Sequence, residues 1–373
     1  NALLIRNGLP PIAQLGLGGI VPPDGIVPHC LAERYAVLAA APFMSVVICT
    51  RDRTAMLSQN LPAVLALDYP HFEVIVVNNA PSTADTEQWL HAHYANDSRV
   101  RYVREDRPGL SWASNAGLRH ARGEIVAFTD DDVLPSRHWL TAVACGFQAA
   151  ANVGCVTGYT MPAELETQAQ YWFEQFGGFN KGRGFARMCF NLAEHRPVNN
   201  PLYPYIPGIF GAGANMAFRT DLLRRLGGFD VALGGGTPAR GGGDIDAFFR
   251  VVMSGATLVY EPSALLMHYH RRHFADLQRQ LDSYGTAFGA FLMKTILVRP
   301  SRVLDLVQRI PAAIPYVFSP RSPRNIHKTH DYPSDLTRGE LWGMVQGTRA
   351  YFTSYRHAFA VSVQHPRSET VQA

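Results

Sequence analysis

The sequence predicts an α/β fold built on a mostly parallel central sheet flanked by helices, and three observations carry that expectation. Apolar, β-branched runs recur at Val46-Val47-Ile48, Val74-Ile75-Val76-Val77, Val100-Arg101-Tyr102-Val103 and Ile125-Val126-Ala127-Phe128. Helical patterns stand between them at 55–67, 83–95 and 111–121. Polar clusters close three of the runs: Thr50-Arg51-Asp52, Asn78-Asn79 and Thr129-Asp130-Asp131-Asp132. Strand and helix alternating at this spacing form βαβ units, whose right-handed crossovers make the strands parallel. Ligands of such sheets collect beyond the carboxyl ends of the strands, where these clusters fall.

Each element follows from its own residues. Residues 1–40 read as a separate entry region, with Leu3-Leu4-Ile5 as a short strand and a Gly/Pro-rich stretch from 8 to 28 that excludes a long helix. The apolar stretch 35–50 is broken by Pro42 and reads as linker plus strand. Runs without polar alternation, such as 46–48, are strands buried on both faces. Pro70 stops the helix that precedes the second strand. The second half is less regular. Residues 177–207, rich in Gly, Asn, Pro and aromatics, read as a mobile loop or an acceptor surface. A glycine-bearing turn at 211–215 leads into a strand, and a helix follows at 220–226. Gly227-Gly228-Phe229-Asp230 and a glycine-rich loop reach to Gly243. Residues 244–255 read as helix, 257–260 and 264–267 as two strands, and 273–297 as a long helix. The expected division is an accessory segment at 1–43, a core domain at 44–275 divided at 135/136, and a helical C-terminal extension at 276–373.

Composition narrows the function. At 373 residues, with 47% hydrophobic and 17% charged side chains, the chain has ample core and no disorder signature. A net charge of +4 and a pI near 8.8 suit an anionic substrate or an anionic membrane surface. The charge is too dispersed for nucleic acid. Five widely spaced cysteines, with no C-x-x-C pair, read as buried thiols in a reducing compartment. No signal peptide and no run of about twenty apolar residues is visible. The expected location is therefore cytoplasmic. The stretch 303–318 mixes apolar and basic residues in a way that suits the inner face of a membrane.

Three constellations carry chemistry. Adjacent carboxylates at Asp130-Asp131-Asp132 repel unless a cation neutralises them, and their oxygens suit Mg2+ or Mn2+; an acidic turn capping the next helix is the plainer alternative. Asp244 and Asp246 open a helix behind three glycines. There Asp244 could act as general base with Asp246 in support, although simple capping and an Asp246–Arg250 pair are the ordinary readings. His268 and His270 alternate on one strand face and offer nitrogen ligands to a metal, or else mark a basic strand end. Asn115 and Gly117 could form a polar floor under a donor, and Trp112 and Trp172 could stack on a sugar.

Taken in order, these strings resemble family-2 glycosyltransferases of the GT-A fold. They are Ser45-Val46-Val47-Ile48-Cys49-Thr50-Arg51-Asp52-Arg53, Ala113-Ser114-Asn115-Ala116-Gly117, Phe128-Thr129-Asp130-Asp131-Asp132, Gly213-Ala214-Asn215-Met216-Ala217-Phe218-Arg219, Gly227-Gly228-Phe229-Asp230 and Asp244-Ile245-Asp246 with Arg250. The resemblance implies an inverting transferase moving a sugar from a nucleotide-diphospho-sugar, such as a UDP-sugar, to a hydroxyl on a glycan, lipid or small molecule. Its Rossmann-like half binds the nucleotide-sugar and its other half the acceptor. It places Thr50, Arg51, Asp52, Asn79, Asn115, Gly117, Asp130, Asp131 and Asn215 around the donor. Asp132, His268 and His270 fall near Mg2+ or Mn2+, and Asp244 and Asp246 at the proton transfer. Two positions depart from the pattern. Asn78-Asn79 stand where an acidic residue usually meets uracil, and Gly243 stands where one commonly precedes the base. A nucleotidyltransferase on a related sheet, or a weakly catalytic nucleotide-sugar-binding subunit, would share the acidic site.

Overall fold

The computed structural model describes residues 29–197 and 200–366. The expectations for Leu3-Leu4-Ile5 and for 8–28 lie outside those residues. Helix α1 (His29–Ala39) occupies part of the stretch expected as linker; Pro42 lies beyond its end rather than within it. The regular alternation then runs β1 (Met44–Thr50), α2 (Thr54–Leu65), β2 (Phe72–Asn79), α3 (Asp85–Tyr94), β3 (Val100–Glu105), α4 (Leu110–His120) and β4 (Ile125–Asp130). Every residue of β2 is buried, as its unbroken apolar run requires. Strands β1, β2, β3 and β4 are all parallel. In register, Thr50 faces Asn78 and Cys49 faces Asp130, so the polar ends of three strands line up.

The chain continues through β5 (Val133–Pro135), α5 (Trp139–Phe147), β6 (Val153–Pro162), α6 (Gln168–Gln175) and β7 (Met188–Phe190). Next come β8 (Met216–Arg219), α7 (Thr220–Arg225), α8 (Gly243–Met253) and β9 (Thr257–His268). The nine strands form one sheet in the order β3-β2-β1-β4-β8-β6-β9-β5, with β7 on β9. The α/β class is as expected, with β5, β7 and β8 the antiparallel members. Helix α5 and strand β6 carry no polar alternation, and nothing in the local sequence separates them from neighbouring apolar stretches; packing against the sheet defines them.

The two strands expected at 257–260 and 264–267 are one. Gly158 pairs with Glu261 and Tyr159 with Leu265, so residues 262–264 bulge out of an otherwise continuous β9. Pro262 lacks the amide that a ladder needs, which makes the bulge its natural place. The bulge is what carries β9 on to His268, opposite Val133 of β5.

Three helices complete the described residues: α9 (Phe274–Val298), α10 (Arg302–Phe318) and α11 (Ser334–Gln364). Helices α9 and α11 pack backbone to backbone along glycines. A Cβ on Gly285 would lie 1.9 Å from the Glu340 carbonyl, and one on Gly347 2.2 Å from the Thr286 carbonyl. Among the described residues, no helix is long and apolar enough to cross a membrane.

Candidate active site

The site is built where β1, β4 and β9 end. Strand β4 delivers Asp130, the following turn delivers Asp132, and the β5–β9 pairing brings His268 alongside them. One ligand atom from each of the three lies within 4.8 Å of the others. His268 Nε2 is 3.4 Å from Asp132 Oδ1, and Asp132 and His268 are buried while Asp130 is half-buried. Asp131 points into the protein instead. Its carboxylate accepts from Thr50 Oγ1 at 2.7 Å and from Arg53 Nη1 at 2.6 Å, and Arg53 Nη2 reaches Asp132 at 3.0 Å. Asp244 opens α8 behind Gly242, which takes φ of 94°, a left-handed conformation suited to glycine.

Burial pushes the Asp130 carboxyl up to about 7, helped by the charges of Asp132, Asp131 and Asp244 and opposed by Arg53. Asp244 therefore lies close enough for its charge to be felt across the site. Burial also raises Asp244, while the Ile245 and Gly213 amides favour its anion. Burial pushes His268 down to about 4, against the pull of Asp132, so the ring is neutral at pH 7. A neutral imidazole beside two crowded carboxylates, with a buried Nδ1 lacking any partner, fits a divalent cation by charge and by donor type.

The sequence of the 45–227 segment matches the glycosyl transferase family 2 profile. The chain carries a family-2 glycosyltransferase domain. Among curated relatives, it is 37% identical over 122 residues to an uncharacterized protein of Sinorhizobium fredii, covering 32% of this chain and 13% of that one. It is 25% identical over 243 residues to the pre-mycofactocin glycosyltransferase of Mycobacterium tuberculosis, covering 65% of this chain and 46% of that one. The chain thus spans less than half the length of these relatives. A solved mannosyltransferase from Pyrobaculum calidifontis, in complex with GDP-Man and Mn2+, is similar at a TM-score of 0.46 and 20% identity, over 91% of this chain and 85% of that one.

Within this family-2 domain several residues expected around the ligand also make internal contacts. The Asn79 amide donates to the carbonyls of Glu105 and Arg107 and accepts from the Gly109 amide, so it holds the loop before α4. Asn115 exchanges two 2.8 Å bonds with the Phe229 backbone, clamping the glycine turn. Gly117 is small because a Cβ there would lie 2.3 Å from Val47, where α4 packs on β1. Asn215 accepts from Trp139 Nε1 and donates to the carbonyls of Tyr159 and Ala264. His270 Nε2 meets Glu174 at 3.0 Å and stays outside the Asp130–Asp132–His268 group. Asp246 is held by Arg250 and Lys294, each at 2.7 Å, in a pairing that ties α8 to α9. Thr50 and Asp131 are engaged with each other. Most of these side chains are buried, and each polar one finds a backbone or charged partner inside the fold. Trp112 has its face covered by the Arg107 guanidinium at 4.2 Å, and Trp172 meets Phe274 edge-on.

Arg51 and Asp52 are exposed just beyond β1, with Asp52 accepting from the Ser82 amide at 2.9 Å. Residues not singled out also line the site. Arg53 neutralises part of the acidic run, and its place in the first motif string was the available signal. Phe179 packs its ring 4.7 Å from His268, and Tyr284 of α9 lies near enough to Asp244 and Asp130 to sense both charges. No sequence spacing links 179 or 284 to 268; only the fold does.

Proposed function

We propose that this domain transfers a sugar from a nucleotide-diphospho-sugar to an acceptor hydroxyl with inversion, as a GT-A glycosyltransferase. The observation that carries this reading is the convergence of Asp130, Asp132 and a neutral His268 opposite the Asp244 carboxylate. Asp130, Asp132 and His268 would hold Mg2+ or Mn2+. When bound, that cation supplies positive charge to a departing diphosphate. Arg51 and Asp52, exposed just past the end of β1, would meet the nucleotide. The Asp244 carboxylate accepts the proton of the acceptor hydroxyl. The freed oxygen then bonds to the anomeric carbon as the bond to the diphosphate oxygen breaks on the opposite face, which inverts that centre. Phe179 and Tyr284, which both pack on Phe173, would offer aromatic surface to a sugar ring.

The test is a panel of UDP-, GDP- and dTDP-sugars with Mn2+ or EDTA, read by thermal shift, since a ligand that binds the native state stabilises it. A donor that stabilises only with metal is then supplied with acceptors, and the anomeric configuration of the product is read by NMR. Retention at the anomeric carbon, or metal-independent transfer, would overturn the corresponding half of the reading.

A further inference from the structure

Helix α10 carries apolar side chains on two faces. On the inner face Leu306 packs against the Tyr205, Phe249 and Phe291 cluster, with charged side chains around it. Arg302 lies 4.9 Å over the Phe249 ring, Arg309 lies 5.4 Å over the Tyr205 ring, and Asp305 pairs with Arg309 at 2.9 Å. Its outer face is apolar: apart from Gln308, every exposed side chain of the helix is aliphatic, proline or phenylalanine. Leu304 is 70% exposed and Phe318 67%, with Val307, Ile310 and Ile314 between them on the same side. The exposed Leu297 and Val298, at the end of α9, extend the patch. A helix docked only on a protein core turns such a stripe inward, and an apolar patch of this extent on the outside marks an interaction surface.

We propose that α10 lies in the headgroup region of an anionic lipid bilayer with this face buried among the acyl chains. Charge selects this occupant. Residues 299–328 carry six Arg or Lys against one Asp. Arg302, Arg309 and that Asp lie on the inner face and Arg324 pairs with Glu340, which leaves Arg299 and Arg321 as the exposed charges. Arg299 and Arg321 are exposed at the two ends of the helix, where they meet lipid phosphates as the apolar side chains enter. A two-fold antiparallel pairing of α10 with a second copy would instead bring Arg299 against Arg321. At 17 residues, roughly 25 Å long, the helix fits the interface plane and cannot span the hydrocarbon core. The segment that follows runs back to the active site. Thr329 bonds Gln175 at 2.8 Å, and Lys328 and Lys181 lie 5.9 and 3.5 Å from the Phe176 ring, a few residues from Phe179 beside His268. The docked domain would therefore present its acceptor side to the membrane.

Vesicle flotation tests this without any donor sugar, so its outcome is independent of the transferase reading. The chain is expected to float with vesicles of equal parts phosphatidylglycerol and phosphatidylcholine. It should float about tenfold less with phosphatidylcholine alone, or in high salt. The Leu304→Glu/Ile314→Glu variant is expected to lose flotation with an unchanged melting temperature, because both side chains are exposed. Arg299→Glu/Arg321→Glu is expected to lose the preference for anionic lipid. Leu304→Trp supplies a second reading, a blue shift of its fluorescence on addition of the anionic vesicles. Absence of both flotation and blue shift overturns the proposal. So does a dimer in sedimentation that Leu304→Glu/Ile314→Glu converts to monomer, which would make the face a subunit interface.

Discussion

Asp244→Asn is the substitution that bears most directly on the chemistry. Asparagine keeps the size of the side chain and an oxygen for the Ile245 and Gly213 amides, which favour the native carboxylate. It removes only the capacity to take a proton at neutral pH. A positioned general base contributes about 10²–10⁴ in rate, so kcat should fall by that factor, a barrier increase of roughly 3–5 kcal/mol. Donor affinity should change little, because the first-strand loop and the metal group lie on other elements. The assay is release of nucleoside diphosphate under saturating acceptor, with calorimetry for the donor and thermal unfolding as the folding control. A kcat within roughly threefold of wild type, in a folded protein, would remove Asp244 from the proton transfer.

The other expectations are simpler. Asp132→Asn should weaken Mn2+ binding by about tenfold or more, measured by calorimetry, and EDTA should abolish transfer by the native domain. Lys294→Met leaves Asp230 and the buried Asp246 short of a cation that sits 2.8 and 2.7 Å away; removing one partner of a buried pair costs about 3–5 kcal/mol, and the melting temperature should drop by roughly 5–10 °C. Asn215→Ala strands Trp139 Nε1 and two carbonyls, so a loss of about 2 kcal/mol should appear in chemical denaturation while donor affinity per folded molecule is preserved. Gly285→Val drives a side chain into the Glu340 carbonyl, and limited proteolysis should then release the C-terminal helices faster, with a destabilisation of about 2 kcal/mol or more.

The first half of the sheet was legible because each strand is a short, uninterrupted apolar run and each crossover a helix of ordinary length. Those are local properties, and burial on both faces leaves them no competing pattern. The acidic run was legible for the same reason, since a polar cluster ending a parallel strand must face the carboxyl edge. Helix α5 and strand β6 were not, because their apolar residues match partners distant in sequence: β6 needs β8 and β9. The C-terminal extension was expected to be helical, but the bounds of α11 were not, since it packs on the glycines of α9. The polar motif residues show the same limit. Asn79, Asn115 and Asn215 carry side chains that either a ligand or a backbone amide could satisfy, and composition cannot say which lies within 3 Å. Asp246 was legible as a possible partner of Arg250, four residues on, but not of Lys294, which arrives from another helix.

By itself, then, the sequence determined the parallel half of the sheet and the position of its acidic edge, because those follow from periodicity and charge along the chain. Only the tertiary structure decided which of Asp130, Asp131 and Asp132 share one group, that His268 rather than His270 joins them, and that α10 leaves an apolar stripe exposed. Each of those outcomes depends on strand register or helix docking across more than a hundred residues, where chain connectivity fixes nothing until the core has packed.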